Sequence, residues 1–104
     1  MIRQYDVIDN PSARSRSIAP YLVVVQSQFY DETPTILVAP LLTMPMQAVL
    51  TRVSLRVEFE GDPFVLLLSE IGAIDRRPPT RPAGSLARYE DDIRRALDRL
   101  FTGF

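Results

Sequence analysis

A two-residue alternation running from Val49 to Glu60 constrains this chain more than any other feature. Val49, Thr51, Val53, Leu55, Val57 and Phe59 fall on one side, and Leu50, Arg52, Ser54, Arg56, Glu58 and Glu60 on the other. Only a β-strand returns its side chains to the same face every second residue. The stretch from Val49 to Phe59 therefore predicts a long strand with one buried and one wet face. Glu60-Gly61-Asp62-Pro63 reads as a hairpin turn, since Gly61 accepts a positive φ without steric cost. Phe64 to Leu68 returns as the antiparallel partner, and Ile71 to Ile74 predicts a further short strand.

The preceding sequence is also β-like. Ile2 to Ile8 carries β-branched and aromatic residues and predicts a strand. Asp9-Asn10-Pro11-Ser12 is turn chemistry, and a polar, arginine-bearing loop follows to Pro20. Tyr21 to Gln26 is a short, valine-rich run, as expected of a strand buried on both faces. A turn around Asp31–Pro34 leads to a strand from Thr35 to Ala39, closed by Pro40. Leu41 to Pro45 reads as a loop, because prolines interrupt ladder pairing.

Arg76 to Gly84 contains three prolines and predicts a surface loop. From Ser85 the period becomes helical. Leu86, Tyr89, Ile93, Leu97, Leu100 and Phe101 form one stripe, opposite Arg88, Asp91, Asp92, Arg95 and Arg99. The helix is expected from near Ser85 to near Phe101, with Glu90–Arg94 and Asp91–Arg95 as i,i+4 pairs and Gly103 as its cap. The chain thus reads as one domain, residues 1–104, and mainly β. Five or six antiparallel strands and one terminal helix predict a small barrel or curled sheet plugged by that helix.

Composition narrows the chemistry. Cys, His and Trp are absent, which excludes disulfides, Cys/His zinc sites and Ser–His or Cys–His catalysis. No cofactor is expected: four glycines form no phosphate-binding loop, and the acids supply no metal site. Glu58, Glu60 and Asp62 crowd a hairpin and read as solvated. Glu90, Asp91 and Asp92 suit the positive end of a helix dipole. A net charge of −1 disfavours nucleic acid as the main partner, although all twelve basic residues are arginine. No stretch of about 18 apolar residues occurs, so a soluble, cytoplasmic protein without membrane contact is expected. An Arg-plus-acid ribonuclease remains chemically conceivable, but no spacing singles out one set of residues. What stands out is the tail, Leu100-Phe101-Thr102-Gly103-Phe104, with two aromatics at a helix end. A terminal aromatic needs something to dock on, its own domain or a partner.

On these residues the chain resembles the CcdB family of plasmid and chromosomal toxins. Glu90, Asp92, Ile93, Ala96, Leu100-Phe101, Gly103 and a final apolar residue match the family's terminal helix in order and spacing. Val25-Gln26-Ser27, Asp31 and Pro40-Leu41 match its second and third strands, and Gly61-Asp62 its long hairpin. The likeness spans about Val23 to Phe104, with a longer loop from Asp9 to Pro20. It implies an SH3-like barrel of antiparallel strands with a three-stranded wing and one C-terminal helix. It implies a homodimer that binds the DNA gyrase A subunit and traps the cleaved gyrase–DNA complex without acting as an enzyme. It also implies a cognate CcdA-like antitoxin that neutralises the toxin and with it represses their operon, DNA being contacted only through that complex.

Carried over residue by residue, the gyrase-binding tail maps to Thr102, Gly103 and Phe104, beside Phe101. Asp98 stands where the family has a gyrase-contacting Asn, and Phe29 and Tyr30 occupy two further apolar contact positions. Thr102 departs from the prototype, which has Trp there, so a stacking surface is lost. An acidic antitoxin segment would find its cations in two loops, at Arg14, Arg16, Arg76, Arg77 and Arg81. Two other readings compete: a MazF-like endoribonuclease on the same barrel, and a non-toxic CcdB homologue that only binds antitoxin.

Overall fold

The computed structural model describes residues 2–43, 53–78 and 80–103. Its strands are β1 (Asp6–Asp9), β2 (Tyr21–Val24), β3 (Thr35–Thr43), β4 (Ser54–Phe59), β5 (Asp62–Leu67), β6 (Gly72–Asp75) and β7 (Gly84–Ser85). One helix, α1 (Glu90–Thr102), follows. Every pairing is antiparallel, in the order β4-β5-β3-β2-β1-β7, with β6 added to β3. The fold is therefore mainly β with one C-terminal helix, as the sequence predicts.

The sheet curls until its outermost strands meet. Gly84 of β7 lies beneath the Phe59 ring of β4, so close that a Cβ there would stand 2.5 Å from Cε1. Next to it, the Tyr89 hydroxyl accepts the Glu58 N–H at 2.9 Å, and the Arg88 guanidinium donates to the Glu58 carbonyl. Side chains thus close the seam where the ladder stops, and they cover the open edge of β4 at this point. The same contacts explain Pro63. It sits opposite Glu58, whose main chain is already engaged by α1-proximal residues, so the missing proline N–H leaves no ladder bond unmade.

Alternation divides the sheet's two faces. Val7, Val23, Leu41, Leu66, Val57 and Phe59 join Leu86, Ile93 and Ala96 in the main core under α1. Ile8, Leu22, Val24, Ile36 and Val38 form a second cluster on the opposite face. The run from Tyr21 is thus buried on both faces, as expected. Tyr21, Phe59 and Phe64 meet edge-on or tilted, with centroids 5.1 to 6.4 Å apart. Such contacts add roughly 0.5–1.5 kcal/mol per pair beyond area burial.

The hairpin is tighter than the sequence suggests. Asp62 and Pro63 belong to β5, leaving Glu60 and Gly61 as a two-residue turn with φ of +55° and +81°. Both values are positive, the geometry that matches the strands' right-handed twist. Arg56, Glu58 and Glu60 are exposed as expected, whereas Ser54 is buried. The expected strand residues from Val49 to Arg52 lie outside the described residues.

Three boundaries need correction. The first strand begins at Asp6, not Ile2, because the Asp6 carboxylate accepts the Arg3 N–H at 2.8 Å and closes a turn. β3 continues through Pro40 to Thr43, so Leu41 and Leu42 are strand rather than loop. Along one side of β3, β6 is opposite residues 35–38 and β5 opposite 41–43. Pro40 falls at this change of partner, where a residue with no N–H fits. β2, β3 and β6 form the three-stranded wing. α1 begins at Glu90, after a 3₁₀ turn at Ala87–Tyr89, because Ser85 is still paired with Asp6 in the sheet. The stripe of α1 is buried only in part: Ile93 and Ala96 are covered, while Phe101 is 72% exposed. Among the described residues, no helix is long and apolar enough to cross a membrane.

Candidate functional site

The sequence-predicted residues fall into three places. The first is the end of α1. Asp98, Phe101 and Thr102 are spaced i, i+3 and i+4, which puts them on one helical face. The Thr102 hydroxyl donates to the Asp98 carbonyl at 2.6 Å, so it is used within the helix. Gly103 has φ +82° and donates its N–H to the Arg99 carbonyl at 3.0 Å, an αL cap as expected. Asp98, Phe101, Thr102 and Gly103 are all exposed. The Asp98 carboxylate has no ion-pair partner among the described residues. Phe104 lies outside the described residues.

Charge along α1 supports this projecting end. Glu90, Asp91 and Asp92 occupy the first turn and Arg99 the last, both favourable to the dipole. Arg94 pairs with Glu90 at 3.2 Å as predicted, but Arg95 reaches Asp92 at 3.3 Å rather than Asp91. These exposed pairs add only a few tenths of a kcal/mol each.

The second place is the 3₁₀ turn Gln28–Tyr30, where Phe29 is 85% and Tyr30 62% exposed. The Ser27 hydroxyl caps this turn by accepting the Phe29 N–H. Gln28 lines a cleft with Ala87 and Glu90, at the start of α1. The Asp98–Thr102 end lies about 12–18 Å along the helix from Glu90. Phe29 and Tyr30 therefore stand at the opposite end of α1 from the tail, and the structure does not merge the two aromatic groups.

The third place is the arginine loops, and here the structure separates the five candidates. Arg76 donates to the carbonyl of Thr33 at 2.8 Å and reaches that of Thr35, fixing the turn before β3. Arg77 forks onto Asp75, which holds the Asp75 carboxyl below, and the guanidinium above, their ordinary pKa values. Arg14 is exposed on the loop of residues 10–20. Arg16 and Arg81 come together across one cleft of about 680 Å³. Sequence reasoning missed two members of that cleft, Tyr21 and Thr80, and the role of Asn10 behind it. The Asn10-Pro11 pair signalled a turn, but nothing in it signalled that Asn10 is buried. Among the described residues, no three His, Cys, Asp or Glu side chains gather as metal ligands.

With this geometry in place, comparison with known proteins gives one clear result. The family model described as CcdB protein matches residues 4–103 of the chain. A comparison with curated proteins gives no match.

Proposed function

The chain belongs to the CcdB family of toxin–antitoxin toxins, matched over nearly its whole length, and on that premise we propose that it binds the A subunit of DNA gyrase through the end of α1. In this reading it acts by binding, not by catalysis. It traps the gyrase–DNA cleavage complex, works as a homodimer, and is neutralised by a cognate antitoxin with which it represses its operon. The observation that carries the reading is Phe101, 72% exposed on the last turn of α1. A phenyl ring left in water forgoes roughly 1.5–3 kcal/mol of burial, which a partner surface recovers. Asp98 and Thr102 flank it on the same face, and Gly103 turns the chain away in the αL conformation. The sequence adds a second aromatic to this tail, Phe104, which lies outside the described residues.

The test is a supercoiling and DNA-cleavage assay with the host's own gyrase. The wild-type protein should accumulate cleaved DNA. Phe101→Ala and Phe104→Ala should each reduce that accumulation at least about tenfold, the size of a hot-spot loss. Because Phe101 is exposed, its alanine variant should keep the wild-type melting temperature. Cleaved cellular RNA with gyrase untouched would instead assign an endoribonuclease.

One observation favours a second reading. Thr102 stands where the family prototype has Trp, and its hydroxyl is tied back to Asp98. A protein lacking that stacking surface would serve as a non-toxic antitoxin-binding homologue. It would bind antitoxin yet leave gyrase and growth unaffected.

A further inference from the structure

We propose that the outer face of the wing binds a small apolar amine, its apolar body in a groove beside β6 and its ammonium group on the Glu70 carboxylate. The groove measures about 330 Å³, within the range of small-molecule sites, roughly 300–1,000 Å³. None of its lining belongs to α1, the tail or the Gln28–Tyr30 turn, so the inference is independent of the gyrase reading.

The groove has an apolar floor and two walls. Leu22 of β2 and Val38 and Pro40 of β3 form the floor. Leu22 and Val38 are buried members of the second core cluster, so packing beneath them holds the floor. One wall is the loop of residues 10–20, at Ser15 and Ala19. Buried Asn10 fixes this wall by donating from Nδ2 to Ser15 Oγ at 2.9 Å and to the Ala19 carbonyl at 2.8 Å. The Thr43 N–H, donating to the Ile18 carbonyl, ties the same loop to β3. A wall already held by such bonds loses little freedom when a ligand enters. The other wall is β6, and Gly72 decides its shape. Val38 is paired with Gly72 and Ile36 with Ile74, so Gly72 and Ile74 share the face of Val38. Ile74 presents a side chain there and Gly72 none. A Cβ at Gly72 would meet no atom within 4 Å, so the groove is open at that point.

Charge selects the ligand. Glu70 ends the 3₁₀ turn Leu68–Glu70, just before β6, and is the one charged side chain lining the groove among the described residues. It is exposed and makes no ion pair among those residues. The chain has twelve arginines, yet among the described residues none lines this groove. A ligand cation therefore meets a free carboxylate with no competing guanidinium beside it, whereas a ligand anion meets repulsion with nothing to offset it. The edge of β6 away from β3 is unpaired among the described residues, and its main-chain carbonyls can take further ammonium N–H donors. An exposed carboxylate adds little binding strength in itself. The apolar floor thus supplies the affinity, and Glu70 supplies the preference for a cation.

The experiment is an NMR titration of the full-length protein with 4-phenylbutylamine, whose ring shifts the resonances of the groups it touches. Parallel arms use 4-phenylbutan-1-ol and 4-phenylbutanoate. Saturable shifts are expected at the methyl groups of Leu22, Val38 and Ile74. The alcohol should bind about three- to fivefold more weakly than the amine, and the carboxylate more weakly still. Gly72→Val places a side chain in the open part of the groove and should weaken the amine about tenfold or more. Because a Cβ there meets nothing, this variant should keep the wild-type denaturation midpoint. Glu70→Gln, a change at an exposed side chain, tests the charge separately from the shape. It should lower the amine to the affinity of the alcohol and leave the alcohol unchanged. A carboxylate that binds as tightly as the amine would overturn the proposal. So would unchanged amine affinity in Gly72→Val or in Glu70→Gln, shifts that do not saturate, or shifts at Phe29 and Phe101 in place of the wing.

Discussion

Tyr5 holds two unusual conditions at once. Its backbone has φ +71°, a region a non-glycine residue enters at a cost of roughly 1 kcal/mol or more. The surrounding bonds enforce it: Tyr5 N–H donates to the Val24 carbonyl, and its own carbonyl accepts from Leu86, tying β1 to β2 and to the approach of α1. The ring is buried in the main core. Burial pushes the hydroxyl pKa above 10.0, and the nearby Glu90 carboxylate pushes it further, against a smaller opposing pull from Arg94. The consequence for stability has a definite sign. Below the unfolded value both states are neutral, and the contribution is fully present. Above it the unfolded chain releases the proton first, so stability falls as pH rises through the folded value. Urea denaturation from pH 8 to about 11 should therefore show an alkaline loss of stability that Tyr5→Phe reduces. Equal losses in the wild type and the variant would show that Tyr5 is not the group responsible.

Among the elements, β7 is only two residues long, yet the barrel closes through it. Gly84 is the residue that permits the close approach of β4, since a Cβ would enter the Phe59 ring at 2.5 Å. Gly84→Ala should cost about 1–3 kcal/mol by overpacking, read as a lower denaturation midpoint with an unchanged m-value. A variant of wild-type stability would mean that Phe59 has room to rotate away. The contrast with β4 and β5 explains what a sequence discloses. Alternation is a property of one strand, so residues 54–67 are legible as a hairpin from their own pattern. Whether Pro40 ends β3 depends on which strand lies opposite, and that is decided by residues 62–75. The stripe of α1 likewise names the face that turns inward but not where the sheet beneath it stops. Phe101 therefore belongs to the stripe and is nevertheless uncovered. The candidate site follows the same rule: the tail is contiguous and readable, whereas Arg16 and Arg81 meet only after β1, β2 and the proline-rich loop are placed.

At the scale of the whole molecule, a 104-residue chain has a modest core and leaves Ile18, Phe29, Tyr30, Leu37 and Phe101 substantially exposed. Scattered apolar residues are ordinary on a surface, and those among the described residues that take no part in the proposed gyrase contact, Ile18 and Leu37, are free to pack against a second copy. The homodimer proposed here makes a thermodynamic demand that a monomer does not. Association stabilises only the folded state, so the melting temperature must rise with protein concentration by mass action. Over a hundredfold range in concentration, the gain is about 2.7 kcal/mol per mole of dimer. At the size of this chain, 1 kcal/mol corresponds to a shift of roughly 4–8 °C. Half of the gain falls to each chain, so the midpoint should move by several degrees. Sedimentation equilibrium on the same samples should give twice the 11.8 kDa chain mass at the upper end of that range. A midpoint independent of concentration together with the mass of a single chain would exclude the dimer. The exposed end of α1 would then have to engage its target from one copy alone.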